Sequence, residues 1–192
     1  LKHAVNNSFN MITVDNDQST NDFVVCLASG LARNKTIHPD SEDFEKFSEG
    51  LLHVCCLLAQ KIAENGEGAD RLIEVRIEQA WSEKDARKIA KKIAGSNLVK
   101  TAVTGAWPNW GRIAASAGSA SSRLNPQKMK IWIGNHIVFD GNPCNVNETI
   151  LKEELSKQKV VITLSLNLGK ANAVAWGCNL TEQYVRINME KE

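Results

Sequence analysis

The sequence predicts a mixed α/β fold in which helices and strands stack as layers around one core. Three observations predict it. Apolar residues at positions 44, 47, 51, 54, 55, 58 and 62 recur at helical spacing. Ile73, Val75 and Ile77 alternate with Glu74, Arg76 and Glu78 at the period of a half-buried strand. The run Phe23-Val24-Val25-Cys26-Leu27-Ala28 has the length and character of a strand covered on both faces.

The elements follow in order. Residues 1–9 read as the end of a helix, and because the first residue is Leu rather than Met, the chain is expected to be cut from something longer. Residues 10–22 lead into the strand at 23–28, which Gly30 ends. The long helix starts with Asp40 or Ser41 as its N-cap and stops at Gly66. After the strand at 73–77, Ser82 and Asp85 form a capping box for a helix ending near Gly95. Residues 98–104 are predicted as the next strand. Residues 114–122 are nearly all Ala, Ser and Gly but lack the Gly-Lys-Ser/Thr ending and the G-x-G-x-x-G spacing of phosphate loops, so a small-residue helix giving way to a loop is expected. Residues 130–139 form a hairpin turning at Gly134-Asn135, a dipeptide suited to positive φ. A helix over 147–157 and strands over 160–168, 173–180 and 184–188 complete the prediction. Neither an internal repeat nor a domain boundary divides the 192 residues.

Composition narrows the function. With 43% apolar and 23% charged residues and a net charge of +1, the chain carries no field that would draw it to nucleic acid or an anionic membrane. The longest apolar run, 51–59, is broken by His53 and falls far short of the about 18 residues a membrane helix needs, so a soluble protein is expected. Five cysteines (Cys26, Cys55, Cys56, Cys144 and Cys178) without C-x-x-C spacing argue against a zinc site or disulfide framework and for reduced thiols in a cytosolic compartment. Cys55 and Cys56, inside the long helix, are expected to pack rather than to react.

No self-contained catalytic set emerges. His3, His38, His53 and His136 are scattered, and no Ser sits in a G-x-S-x-G elbow. Three polar clusters among apolar elements draw attention instead, because unpaired polar groups are costly to bury. Asn16 to Asp22 is either a self-satisfied turn or a recognition loop, and it lacks the His or third acid that would make it a metal site. Pro108-Asn109-Trp110-Gly111-Arg112 is either a rigid aromatic turn or a contact for a carboxylate through Arg112. The third is the tail from Ala175 to Asn188. Glu67, between Gly66 and Gly68, has a backbone that another molecule can approach closely and a carboxylate that can pair with an ammonium group; on spacing alone an exposed turn glutamate is the simpler reading.

Taken together, the segments change that balance. Asn6-Asn7-Ser8-Phe9-Asn10 with Ile12-Thr13-Val14-Asp15, Asp17-Gln18-Ser19-Thr20-Asn21-Asp22, Gly66-Glu67-Gly68-Ala69, Pro108-Asn109-Trp110-Gly111-Arg112, and Ala175-Trp176-Gly177-Cys178-Asn179-Leu180-Thr181 with Tyr184-Val185-Arg186-Ile187-Asn188 closely resemble, in this order, the ornithine acetyltransferase family. These are the bifunctional glutamate N-acetyltransferases of arginine biosynthesis. The resemblance implies a self-cleaving, N-terminal-nucleophile-like acetyltransferase fold, incomplete in this chain. Family members split before a threonine into α and β chains, and residues 1–192 resemble most of a β chain. No catalytic residue then lies in this sequence, since the nucleophilic Thr is expected roughly twenty residues before Leu1.

The implied reaction moves an acetyl group from N-acetylornithine to that threonine and then to glutamate; some members also use acetyl-CoA. Neither a metal nor a cofactor is implied. By motif, Glu67 and Asn188 match the family's substrate-binding residues. The implied partners are the α chain of the same precursor, in a heterotetramer or larger assembly in a prokaryotic cytoplasm. The chain departs from the family pattern where it ends at Glu192, one position before the family's substrate-touching terminal threonine, and in Gly169-Lys170-Ala171-Asn172, which has fewer glycines than the usual loop. A related self-cleaving aminopeptidase, against which the Gly-Glu-Gly and Tyr-Val-Arg-Ile-Asn wording speaks, and a non-catalytic assembly module are the alternatives.

Overall fold

The computed structural model describes residues 1–189. Six strands, β1 (Ile12–Thr13), β2 (Leu72–Ala80), β3 (Lys130–Ile133), β4 (His136–Asp140), β5 (Lys159–Ser165) and β6 (Ala171–Cys178), form one mixed sheet in the order β1-β6-β2-β5-β3-β4. β2 is central, parallel to β5 and antiparallel to β6. The β3–β4 hairpin turns at Gly134, whose φ is 58°, and attaches antiparallel to β5. The helices are α1 (Lys2–Asn6), α2 (Glu42–Glu64), α3 (Glu83–Ala94), α4 (Asn97–Thr104), α5 (Trp110–Ala120), α6 (Glu148–Leu155) and α7 (Glu182–Met189). The mixed α/β architecture predicted from the sequence is therefore present.

Register assigns the two faces. Val75 lies opposite Ala175 and Ile162, and Ile77 opposite Ala173 and Leu164. Ile73, Val75 and Ile77 thus share one face, buried against α3, whose Ala86, Ile89, Ala90 and Ile93 are fully covered, with α5 layered on α3. Gly177 faces α3 so closely that a Cβ would meet the Ala94 carbonyl at 2.8 Å. Its neighbour Trp176 points the other way, into a cavity it shares with Leu52 and Cys56 of α2. Farther along this second face, Arg76, Glu78, Trp132, Val161 and Thr163 line an open pocket.

Most predicted elements form where periodicity placed them. Ser82 caps α3, its Oγ accepting from Asp85 N at 3.2 Å, and Ser41 caps α2 by accepting from Phe44 N at 3.2 Å. The small-residue stretch is α5, and Asn147 caps α6.

Five expectations are corrected. Residues 23–28 form no strand: Phe23 is 83% and Leu27 91% exposed, because no described strand lies alongside to pair with them. Residues 98–104 are helical, as α4, since Val99, Ala102 and Val103 bury together only at helical spacing. Residues 184–188 are also helical, as α7: both sides of β6 are already taken by β1 and β2, and Thr181 Oγ1 accepts from Gln183 N at 3.1 Å to start a helix. β2 is more than half-buried, because Glu74 on its second face is only 4% exposed. Finally, α2 turns Cys55, Ala59 and Ala63 inward and leaves Phe44, Phe47, Val54, Leu58 and Ile62 exposed, so much of its predicted core stripe faces outward.

Candidate substrate-binding site

Glu67 lies in the turn between α2 and β2, and Asn188 on α7, 121 residues later. The structure brings them together: Asn188 Nδ2 donates to Glu67 Oε2 at 2.8 Å and to the Tyr184 carbonyl, one helical turn earlier, at 2.9 Å. Both side chains are exposed, so the pair sits at an open surface. Gly68, with φ of 67°, passes so near α7 that a Cβ would collide with Tyr184 N and the Gln183 carbonyl carbon. Thr181 Oγ1 also donates to the Gly68 carbonyl, at 2.5 Å. Gly68 is thus required by a neighbouring backbone, that of α7, while Gly66 makes room for the side chains of Cys178 and Val14.

The segment after β1 completes this corner. Tyr184 Oη donates to Asp15 Oδ2 at 3.2 Å. Desolvation, then the carboxylates of Asp15, Glu67 and Asp17, push the Tyr184 phenol above its ordinary range. The neighbourhood is therefore acidic and keeps the phenol protonated. Carboxylates beside the Asn188 amide oxygen, whose Nδ2 donors are already engaged, suit an ammonium group, as on an amino acid.

Below this surface, β2 and β6 are locked together. Glu74 accepts from Trp176 Nε1 at 2.9 Å, from Arg76 Nη2 at 2.6 Å and from Lys159 Nζ at 2.5 Å. Burial alone would raise its carboxyl pKa, but the donors Lys159, Trp176 and Arg76 outweigh it and hold the carboxyl below its ordinary 4.5. Asn179, at the end of β6, accepts from Asp70 N and Arg71 N, both at 3.0 Å, and donates to Asp70 Oδ1 and Thr104 Oγ1. These bonds fix the two ends of the turn and tail that carry Glu67 and Asn188.

The other clusters behave as structure. Asn16, with φ of 76°, donates to the Gly95 carbonyl at 2.9 Å, and Asp17 N donates to Asp15 Oδ1 at 2.9 Å, so the start of the Asn16–Asp22 cluster is a turn bonded partly to itself and partly to the end of α3. Arg112 donates to the Leu98 carbonyl at 2.8 Å and stacks over Trp107, while Trp110 stacks on Phe139. Cys55 is buried, and burial, then Cys55, raise the Cys56 thiol and keep it protonated. His53 is exposed on α2. Among the described residues no three His, Cys, Asp or Glu side chains converge as a metal site, and no helix is long and apolar enough to cross a membrane. The chain end that departs from the family pattern, residues 190–192, lies outside the described residues. Residue spacing did not single out Asp15 and Tyr184 as neighbours of Glu67; only the helical geometry of the tail, misread as a strand, would have shown that Tyr184 and Asn188 share a face.

Comparison with known proteins shows the family. The ArgJ family model matches residues 1–191. The arginine biosynthesis bifunctional protein ArgJ of Geobacillus stearothermophilus is 48% identical over 189 residues, covering 98% of this chain and 46% of the relative. The protein of the same name from Dehalococcoides mccartyi is 47% identical over 191 residues, covering 99% of this chain and 47% of the relative. A crystal structure of the arginine biosynthesis bifunctional protein ArgJ from Bacillus halodurans, 42% identical, superposes with a TM-score of 0.95 over 98% of this chain and 89% of that one. The chain spans about half the length of the curated relatives it matches. Motif wording, fold and identity agree: the chain belongs to the ArgJ family.

Proposed function

We propose that residues 1–192 are most of the β chain of a glutamate N-acetyltransferase of arginine biosynthesis and build one wall of its substrate pocket. The observation that carries this reading is the Asn188–Glu67 hydrogen bond, which joins two substrate-binding candidates across 121 residues at an open, acidic surface. In the reaction, a threonine at the head of the β chain, upstream of Leu1, attacks the acetyl carbonyl of N-acetylornithine while its own α-amine takes the hydroxyl proton. Ornithine leaves with that proton, and the acetyl-threonine is then attacked by the α-amine of glutamate, giving N-acetylglutamate and the free hydroxyl. Donors for the tetrahedral oxyanion come from the α chain. Glu67 and Asn188 orient the amino-acid portion of donor and acceptor in turn.

The same reading calls for a partner polypeptide. Phe23, Val25, Leu27 and Leu31, with Phe44, Phe47, Val54, Leu57, Leu58 and Ile62 of α2, expose more apolar surface than isolated surface residues do, which suits coverage by the α chain and the head of the β chain. A heterotetramer in the cytoplasm is the assembly proposed.

In the complete protein, Glu67→Gln should lower kcat/KM for acetyl transfer from N-acetylornithine to glutamate by about 10- to 100-fold, the loss of one charge-assisted bond, without changing the unfolding midpoint. Unchanged transfer would remove Glu67 from the site. Residues 1–192 alone should show no transfer.

A further inference from the structure

Lys100, on α4, is 2% exposed, and Met11 is the next largest of the fully buried side chains. Its ammonium donates to the Val14 carbonyl just past β1, and the acceptor is a neutral peptide oxygen rather than a carboxylate. Burying an ammonium is costly, and a Met of similar length would fill the same space at no such cost, so packing alone does not account for a lysine here. Burial lowers its pKa, while the neighbouring Asp15 carboxylate favours the charged form. The residue after Val14 is Asp15, which accepts from Tyr184. Tyr184 stands one turn before Asn188 on α7, and α7 buries none of its residues. That helix is located by its polar ties rather than by a core.

We propose that Lys100 is a positioning residue for the Glu67–Asn188 pair, fixing the exit of β1 so that Asp15 holds Tyr184 and thereby sets α7 against the Gly-Glu-Gly turn. The inference rests on the pair being the substrate-binding site. It assigns a role in substrate affinity to Lys100, which lies beneath the acidic corner rather than in it, and it separates that role from the acetyl-transfer step.

The test uses the complete protein with Lys100→Met, Tyr184→Phe, the double variant, and Glu67→Gln as reference, each assayed for kcat, for KM with N-acetylornithine and glutamate, and for thermal midpoint. Lys100→Met and Tyr184→Phe should each raise KM about 3- to 10-fold, the loss of one hydrogen bond, with kcat within about twofold of wild type. The double variant should be no worse than the poorer single, because both act through one helix. Lys100→Met also leaves the Val14 carbonyl without its donor, so a modest fall in thermal midpoint is expected alongside, and the rise in KM at nearly constant kcat is the readout a purely structural lysine would not give. Unchanged KM in Tyr184→Phe, or multiplying effects in the double variant, would overturn the proposal, and the Tyr184→Phe result decides it if Lys100→Met does not fold. If Glu67→Gln impairs transfer while the other two variants do not, only this inference fails; if Glu67→Gln is also silent, the site assignment fails with it.

Discussion

Replacing Glu74 by Gln should weaken the junction beneath the candidate site by an amount the structure allows to be worked out. The carboxylate is buried and receives Trp176, Arg76 and Lys159. Glutamine keeps one acceptor oxygen and converts the other into a donor. With the oxygen toward Trp176 and Lys159, the new amide faces the Arg76 guanidinium, donor against donor. Removing one partner of a buried ion pair costs roughly 3–5 kcal/mol. The Arg76 and Lys159 side chains are 49% and 43% exposed and can turn to water, which screens the pair and reduces the expected loss to about 2–3 kcal/mol. In a protein of this size that is a fall in Tm of about 4–12 °C. Urea unfolding followed by tryptophan fluorescence reads the same quantity. Because the folded-state pKa of Glu74 is lowered from 4.5, its contribution is complete above that value and is lost as pH falls through the folded-state value. The gap between wild type and Glu74→Gln should therefore be widest near neutrality and close in acid. Equal stability at neutral pH, or a gap that stays constant as the solution is acidified, would refute the ion-pair account.

Two further substitutions probe the frame around Glu67. Gly68→Ala forces a side chain into positive φ and into the α7 backbone; it should cost about 1 kcal/mol from the dihedral alone and, because α7 buries nothing, raise KM more than it lowers the unfolding midpoint, as steady-state kinetics and urea denaturation together would show. Asn179→Ala leaves the Asp70 and Arg71 N–H groups without their side-chain acceptor in a buried position, and a loss of about 2–4 kcal/mol in urea denaturation is expected; a change under about 0.5 kcal/mol would mean that water replaces the amide.

Legibility in the sequence tracked how local the deciding physics was. α3 was readable because Ser82, Asp85 and the apolar spacing settle it within fifteen residues or so, and Gly134 announced its hairpin by the positive φ that the turn requires. α4 and α7 were misread because alternation over five to seven residues fits either period, and what decided them was long-range: the shared burial of Val99, Ala102 and Val103, and the occupied sides of β6. Residues 23–28 and the outward face of α2 were misread for the opposite reason, since their apolar character was correctly seen but no described element covers them. Glu67 and Asn188 came from motif wording alone, and their meeting depends on a helix that the pattern did not suggest. Glu74 looked like the polar half of an alternating strand; only the register that sets Trp176 opposite it shows why it is buried.

The most direct test of the central claim is a crystal structure of the complete protein soaked with ornithine or N-acetylglutamate. The account predicts the amino-acid portion of the ligand about 3 Å from the Glu67 carboxylate and the Asn188 amide. A ligand bound elsewhere in the complete protein, out of reach of both side chains, would contradict it.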